Sequence, residues 1–267
     1  MSENKKNYVT VQEIDGMIGI RSPHARELED IGKLKVDLFL KNKKRQIKII
    51  VENQLNGKIN NIGFSEDYTV TFKFFPKVKA HVLFYNYENE DDNIFEGSEV
   101  KFLFSGERVM WVPTEDSISL IVIALDYLEN ILTDNPEVYG LKGEKSDLLK
   151  MSLEQRKEPF VNIQKKHLDD LASFVGGEVK QEDNIWKLSK IYFEGIKVII
   201  TYDMKNERLG IEYEGENLIK INNYSRDQLG IFLINHCLRF ISITYLDIKM
   251  PKIVKQMFSF SYLKSHQ

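Results

Sequence analysis

The chain has 267 residues, 42% hydrophobic and 29% charged, with a net charge of −3. That is ordinary globular composition, and the length admits one large or two small domains. The charge gives no general attraction to nucleic acid or anionic membrane, no stretch has the length of a membrane span, and the single cysteine excludes an internal disulfide.

Met1-Ser-Glu-Asn-Lys-Lys lacks the apolar core of a signal peptide, so a reducing, cytoplasmic setting is the expectation. Residues 35–56 carry two periods at once. Ile47, Ile50, Val51 and Leu55 suit a helix. Val36, Leu38 and Leu40, followed by Ile47, Ile49 and Val51, suit a hairpin turning at Asn42-Lys43-Lys44. β-branched residues favour strands, which tips the expectation to the hairpin. Gly57 to Asp67 is polar and turn-rich. Tyr68, Val70, Phe72 and Phe74, then Val78, Ala80, Val82 and Phe84, alternate as half-buried strands around a turn at Pro76. Val100, Phe102 and Phe104 lead into the turn Ser105-Gly106-Glu107. Between them lies the acidic run Glu88 to Asp92, a solvated loop.

A helix over 117–132 follows, apolar at Ile118, Ile121, Val122, Leu125, Leu128, Ile131 and Leu132, with Thr114 or Asp116 as its cap. Thr133 to Pro159 reads as a linker holding a short helix near 148–155. A second helix, 167–175, ends at Gly176-Gly177. Strands around Trp186, Ile196 to Tyr202 and Leu209 to Tyr213 come next. A last long helix carries Leu229, Phe232, Leu233 and Leu238, with Ser225 and Gln228 at capping-box spacing. The tail from Met250 to Gln267 reads as a terminal helix.

The two halves resemble each other. Val100, Phe102, Phe104, Gly106, Glu107 and Val109 fall on Leu209, Ile211, Tyr213, Gly215, Glu216 and Leu218, at a spacing of 215 − 106 = 109. Upstream the spacing becomes 186 − 68 = 118, which places about nine extra residues in the acidic loop, where insertion costs little. The expected fold is therefore α+β: two tandem copies of an antiparallel β-sheet module, each closed by a C-terminal helix. The boundaries are 1–134, a linker over 135–165, and 166–267. The helix–sheet–helix order is similar to that of secretion-chaperone-like and sterol-carrier-like modules.

Candidate chemistry is sparse. Val36-Asp37 followed by Ile47-Lys-Ile-Ile-Val-Glu52-Asn-Gln54 resembles the local pattern of PD-(D/E)xK nucleases over about twenty residues. The resemblance implies Asp37 and Glu52 as Mg²⁺ ligands, with Gln54 beside the attacking water or phosphate. Against it, that fold needs a helix where Gly57 to Asp67 is turn-rich. His236 and Cys237 are adjacent and diverge on a helix, so Cys237 reads as a core residue. His24, His81, His167, His236 and His266 form no ligand spacing. Lys41, Lys43, Lys44, Arg45 and Lys48 lack neighbouring aromatics and read as a solvated turn. There is no G-x-x-x-x-G-K-S/T, no G-x-G-x-x-G and no G-x-S-x-G.

No set of residues assembles into a catalytic constellation. The expected function is a non-catalytic cytoplasmic binding protein, its partner another protein or an apolar ligand. Membrane association is not expected, nucleic acid is disfavoured, and the metal-dependent nuclease is the alternative. Glu107 with Arg108, and Glu216 with Asn217, are expected at matching places of the two modules.

Overall fold

A computed structural model describes residues 8–17, 20–87, 97–133, 146–245, 248 and 250–252. The chain divides into two compact units: 1–110 with 114–135, and 111–113 with 136–267. The acidic run 88–92, nearly all of the tail helix expected over 250–267, and His266 lie outside the described residues.

The first unit holds a five-stranded antiparallel sheet. Its strands are β1 (Tyr8–Val9), β2 (Gly57–Asn60), β3 (Tyr68–Phe75), β4 (Val78–Tyr85) and β5 (Glu99–Ser105), in spatial order β1-β5-β4-β3-β2. Short α1 (Val11–Asp15) follows β1. α2 (Pro23–Lys41) and α3 (Lys44–Gln54) precede β2, and α4 (Thr114–Leu132) follows the sheet. The hairpin expected over residues 35–56 does not form; this stretch is helical. Ile47 and Val51 are fully buried, whereas Ile49, which a hairpin would bury with them, is 53% exposed. The i, i+4 stripe therefore outweighs the alternation. α2 starts on Ser22, whose hydroxyl accepts from the Ala25 amide at 3.0 Å, and Pro23 supplies a preset first turn. At its end the Asn42 side-chain amide donates to the Leu38 carbonyl at 2.8 Å.

The second unit is built on β6 (Glu178–Glu182), β7 (Ile185–Phe193), β8 (Ile196–Asp203) and β9 (Arg208–Glu214), paired antiparallel in chain order. α5 (Asp147–Arg156) and α6 (Leu168–Val175) precede it, and α7 (Asn223–Thr244) closes it. The cap of α7 is Asn222, three residues ahead of the expected Ser225: its side-chain oxygen accepts from the Ser225 amide at 2.7 Å. α7 is buried along nearly its whole length and carries a charged anchor. Asp227 takes the Tyr213 hydroxyl at 3.1 Å, the Ser146 amide at 2.9 Å and the buried Arg226 guanidinium at 3.0 Å. That carboxylate ties β9 and the start of α5 to the closing helix.

The two units repeat one pairing register. β3 and β4 pair Tyr68 with Phe84 and Val70 with Val82; β7 and β8 pair Trp186 with Tyr202 and Leu188 with Ile200, each partner 186 − 68 = 118 residues on. A bulge sits between Lys73 and Phe75, and again between Ile191 and Phe193. β4 and β5 pair Val82 with Phe102; β8 and β9 pair Ile200 with Ile211, where 211 − 102 = 109. The likeness reaches upstream: left-handed Asn56 and Gly176 end the leading helices, and Gly57 and Gly177 then press on the Thr71 and Ser189 carbonyls.

Gly106 and Gly215 occupy the same turn. Their φ values are +116° and +126°. A Cβ on Gly106 would stand 2.0 Å from the Lys77 carbonyl oxygen, and one on Gly215 would stand 2.0 Å from that of Gly195. Those same carbonyls accept the amides of Arg108 at 3.2 Å and Asn217 at 3.1 Å. Gly106→Ala and Gly215→Ala should each cost more than about 1 kcal/mol in urea denaturation, combining strain with a backbone clash. Gly63→Ala, where φ is +90° but nothing lies within 4 Å, should cost less.

Candidate binding surface

In each sheet one face packs on helices and the other points outward. Strand alternation decides which residues go where. In the first sheet Thr69, Thr71, His81, Leu83, Leu103 and Ser105 share the outward face, because Thr71 pairs with His81 and His81 with Leu103. Yet Thr69, Thr71, His81 and Leu83 are buried. β1 and the loop 61–67 close over them. The Tyr8 ring stands edge-on to the His81 ring at 5.0 Å and to Phe64 at 5.6 Å. Glu66 holds that loop: its carboxylate accepts the amides of Ile62 and Phe64 and the Thr69 hydroxyl. Burial works to raise the Glu66 pKa, but these bonds outweigh it and hold the carboxyl below its ordinary value.

Beneath Tyr8 lies a directed chain of hydrogen bonds. Thr71 Oγ1 donates to Asn60 Oδ1 at 2.8 Å. It must therefore accept from His81 Nδ1, 2.9 Å away. That leaves His81 Nε2 to accept from the Ser105 hydroxyl at 2.8 Å. Burial, reinforced by the charges of Lys79 and Lys58, lowers the His81 pKa to about 4, so the ring is neutral near pH 7. A neutral histidine beside a serine hydroxyl is half of a nucleophile pair. Here His81 is only 3% exposed, and both its ring nitrogens are already bonded, to Thr71 and Ser105, beneath the closed face.

Among the described residues no strand like β1 covers the matching face of the second sheet, although Ile199 at its centre is 5% exposed. Isoleucines and charges stand where the first sheet has its buried chain: Ile199 replaces His81 (199 − 81 = 118) and Ser189 replaces Thr71, while Glu214 replaces Ser105 (214 − 105 = 109). Ile191 is 55% and Ile185 41% exposed. Lys187 pairs with Glu212 at 3.1 Å and Lys197 with Glu214, across the strands. Lys197 holds the Glu214 carboxyl below its ordinary pKa. Three open depressions of about 770, 540 and 370 Å³ lie on this face and its rim. The middle one passes over Ile191 and Ile199, from Gly177, Glu178 and Lys180 on the β6 side to Lys197 and Glu214 on the other.

The other candidates do not come together. Asp37 lies on α2, 62% exposed and bonded to Lys41; Glu52 lies on α3, 3.9 Å from Lys48. The nuclease pattern needs these carboxylates on neighbouring strands, and neither is on a strand. Gln54 ends α3 with its side-chain oxygen buried. Among the described residues no three His, Cys, Asp or Glu side chains gather as a metal site. Cys237 is fully buried, and burial raises its thiol pKa, while His236 lies against the Phe174 ring. Lys44 reaches the Asp67 carbonyl and the Tyr68 ring. No helix among the described residues is long and apolar enough to cross a membrane. The chain matches no protein-family model, no curated protein and no solved structure.

The His81 chain has a pH signature. The unfolded histidine titrates near 6.5 and the folded one near 4, so the unfolded state binds the extra proton first as pH falls. The wild type should lose about 2 kcal/mol between pH 7 and pH 5 from this group, the saturating loss being about 3 kcal/mol at lower pH. His81→Gln should flatten that part of the slope in urea titrations at the two pH values.

Proposed function

We propose that the protein is a non-catalytic, cytoplasmic binding protein whose partner is another polypeptide, held on the outward face of the second sheet. The observation that carries this reading is the contrast between the two outward faces. The first is closed by the chain's own β1 and loop. The second presents Ile185 and Ile191 to solvent, beside Lys187, Lys197, Glu212 and Glu214. Exposed isoleucines bordered by cross-strand ion pairs suit a polypeptide surface with an apolar centre and polar rim. The depressions there are open and lined by charges, which suits a macromolecule better than an apolar small molecule. Descent of both units from one duplicated module accounts for the repeated register: one copy kept its cover, and the other offers the same face outward. The buried free thiol of Cys237 is compatible with a reducing compartment.

Capture from lysate of the source cells tests this, with the wild type compared against an Ile185→Asp/Ile191→Asp variant. A polypeptide identified by mass spectrometry on the wild type and absent from the variant is the expected result. Capture of nothing, or equal capture by both, contradicts it.

A further inference from the structure

The first unit shows what closes such a face. β1 adds to the edge of β5, with Tyr8 opposite Ser105 and Val9 opposite Phe104. This pairing sends the Tyr8 ring over His81, while Val9, one residue on, points to the opposite side of the sheet. In the second unit β9 stands where β5 does, and among the described residues the sheet ends there. Carried across by the 109-residue spacing, the positions facing β1 become Glu214 and Tyr213. The position under the Tyr8 ring becomes Ile199. That isoleucine floors the 540 Å³ depression, with Glu214 on its rim.

We infer that the β9 edge is a strand-addition site for an extended polypeptide segment carrying an aromatic residue followed by a β-branched apolar one. The segment runs antiparallel to β9, with main-chain bonds at Tyr213 and Glu214. Its aromatic side chain lies over Ile199, as Tyr8 lies over His81. Strand addition draws affinity from otherwise unpaired edge amides and carbonyls, and specificity from the pocket that alternate side chains enter. The chemistry of the floor supports an aromatic occupant: where the first unit sets polar His81 beneath Tyr8, the second sets Ile199. The opposite edge of the second sheet suits this role less. β6 alternates Glu178, Lys180 and Glu182 outward, a charged edge that resists pairing.

This inference rests on the second unit's being the polypeptide-binding face. The probe is a fluorophore-labelled peptide of the chain's own β1 segment, Lys6-Asn-Tyr-Val-Thr-Val-Gln12, titrated with the full-length protein and read by fluorescence anisotropy. Saturable binding is expected. It should weaken at least about tenfold in Ile199→Thr, and equally when the peptide's tyrosine is replaced by serine. Matched thermal melts check that the variant folds. No binding, or binding undiminished both in Ile199→Thr and with the serine peptide, overturns strand addition. So does concentration-dependent dimerisation through Ile191 without peptide binding. If a cellular partner is still captured through Ile185 and Ile191 while the peptide fails, polypeptide binding stands and strand addition alone falls.

Discussion

In each unit the chain leaves its sheet at a glycine set against a carbonyl of the hairpin two strands earlier. Gly106 meets Lys77 and Gly215 meets Gly195 with no room for even one methyl. The contact is backbone to backbone, so it fixes position without depending on side-chain identity. It sets the height at which β5 and β9 end against β4 and β8. From that follow the pairing register and the start of the closing helix. A slip of one residue would turn every inward side chain outward. The bulges at Lys73–Phe75 and Ile191–Phe193 add the local twist by which each hairpin reaches that contact.

With register fixed, alternation sorts each strand into an inner and an outer set, and the two outer sets have different physics. Closing the first demands that its polar atoms find partners, because an unmet buried donor or acceptor costs about 1–3 kcal/mol. Asn60, Thr71, His81 and Ser105 meet that demand in one line, and the Glu66 carboxylate meets it for the loop above. The second face carries no such line. Its Lys–Glu pairs are roughly half exposed and add little to stability. Their effect is on which surfaces can approach. Ile185 and Ile191 on the same face stay exposed, while Ile199 at its centre is buried.

The strands were legible because two-residue alternation and a glycine or proline turn agree at Tyr68–Phe84 and Val100–Gly106. The closing helices were legible because their apolar residues keep a spacing of three and four over four turns. Residues 35–56 were misread because Ile47 and Val51 satisfy both periods, and only the exposure of Ile49 separates them. β1 left no signal, since two residues cannot show alternation. The candidate surface was not legible as a site. His81 stands among strand residues, and its partners Asn60, Thr71 and Ser105 arrive from three other strands. One sign was present: Thr69 and Thr71 on β3 and His81 on β4 are polar residues alternating with apolar ones, the mark of an outer face that needs hydrogen bonds. Asp37 and Glu52 misled for the opposite reason. They are ordinary helix-surface carboxylates whose spacing imitates a strand pair.

The two sheets share one pairing register, and among the described residues a strand covers the β5 edge while none covers the β9 edge. Residue-resolved amide hydrogen exchange of the free protein tests it directly, because equivalent amides in the two sheets point the same way. In each matched pair, Phe104 with Tyr213 and Ser105 with Glu214, one amide faces the edge. The edge-facing amide should exchange markedly more slowly in β5, where β1 covers it, than in β9. Equal protection at both edges, or faster exchange in β5, would contradict it.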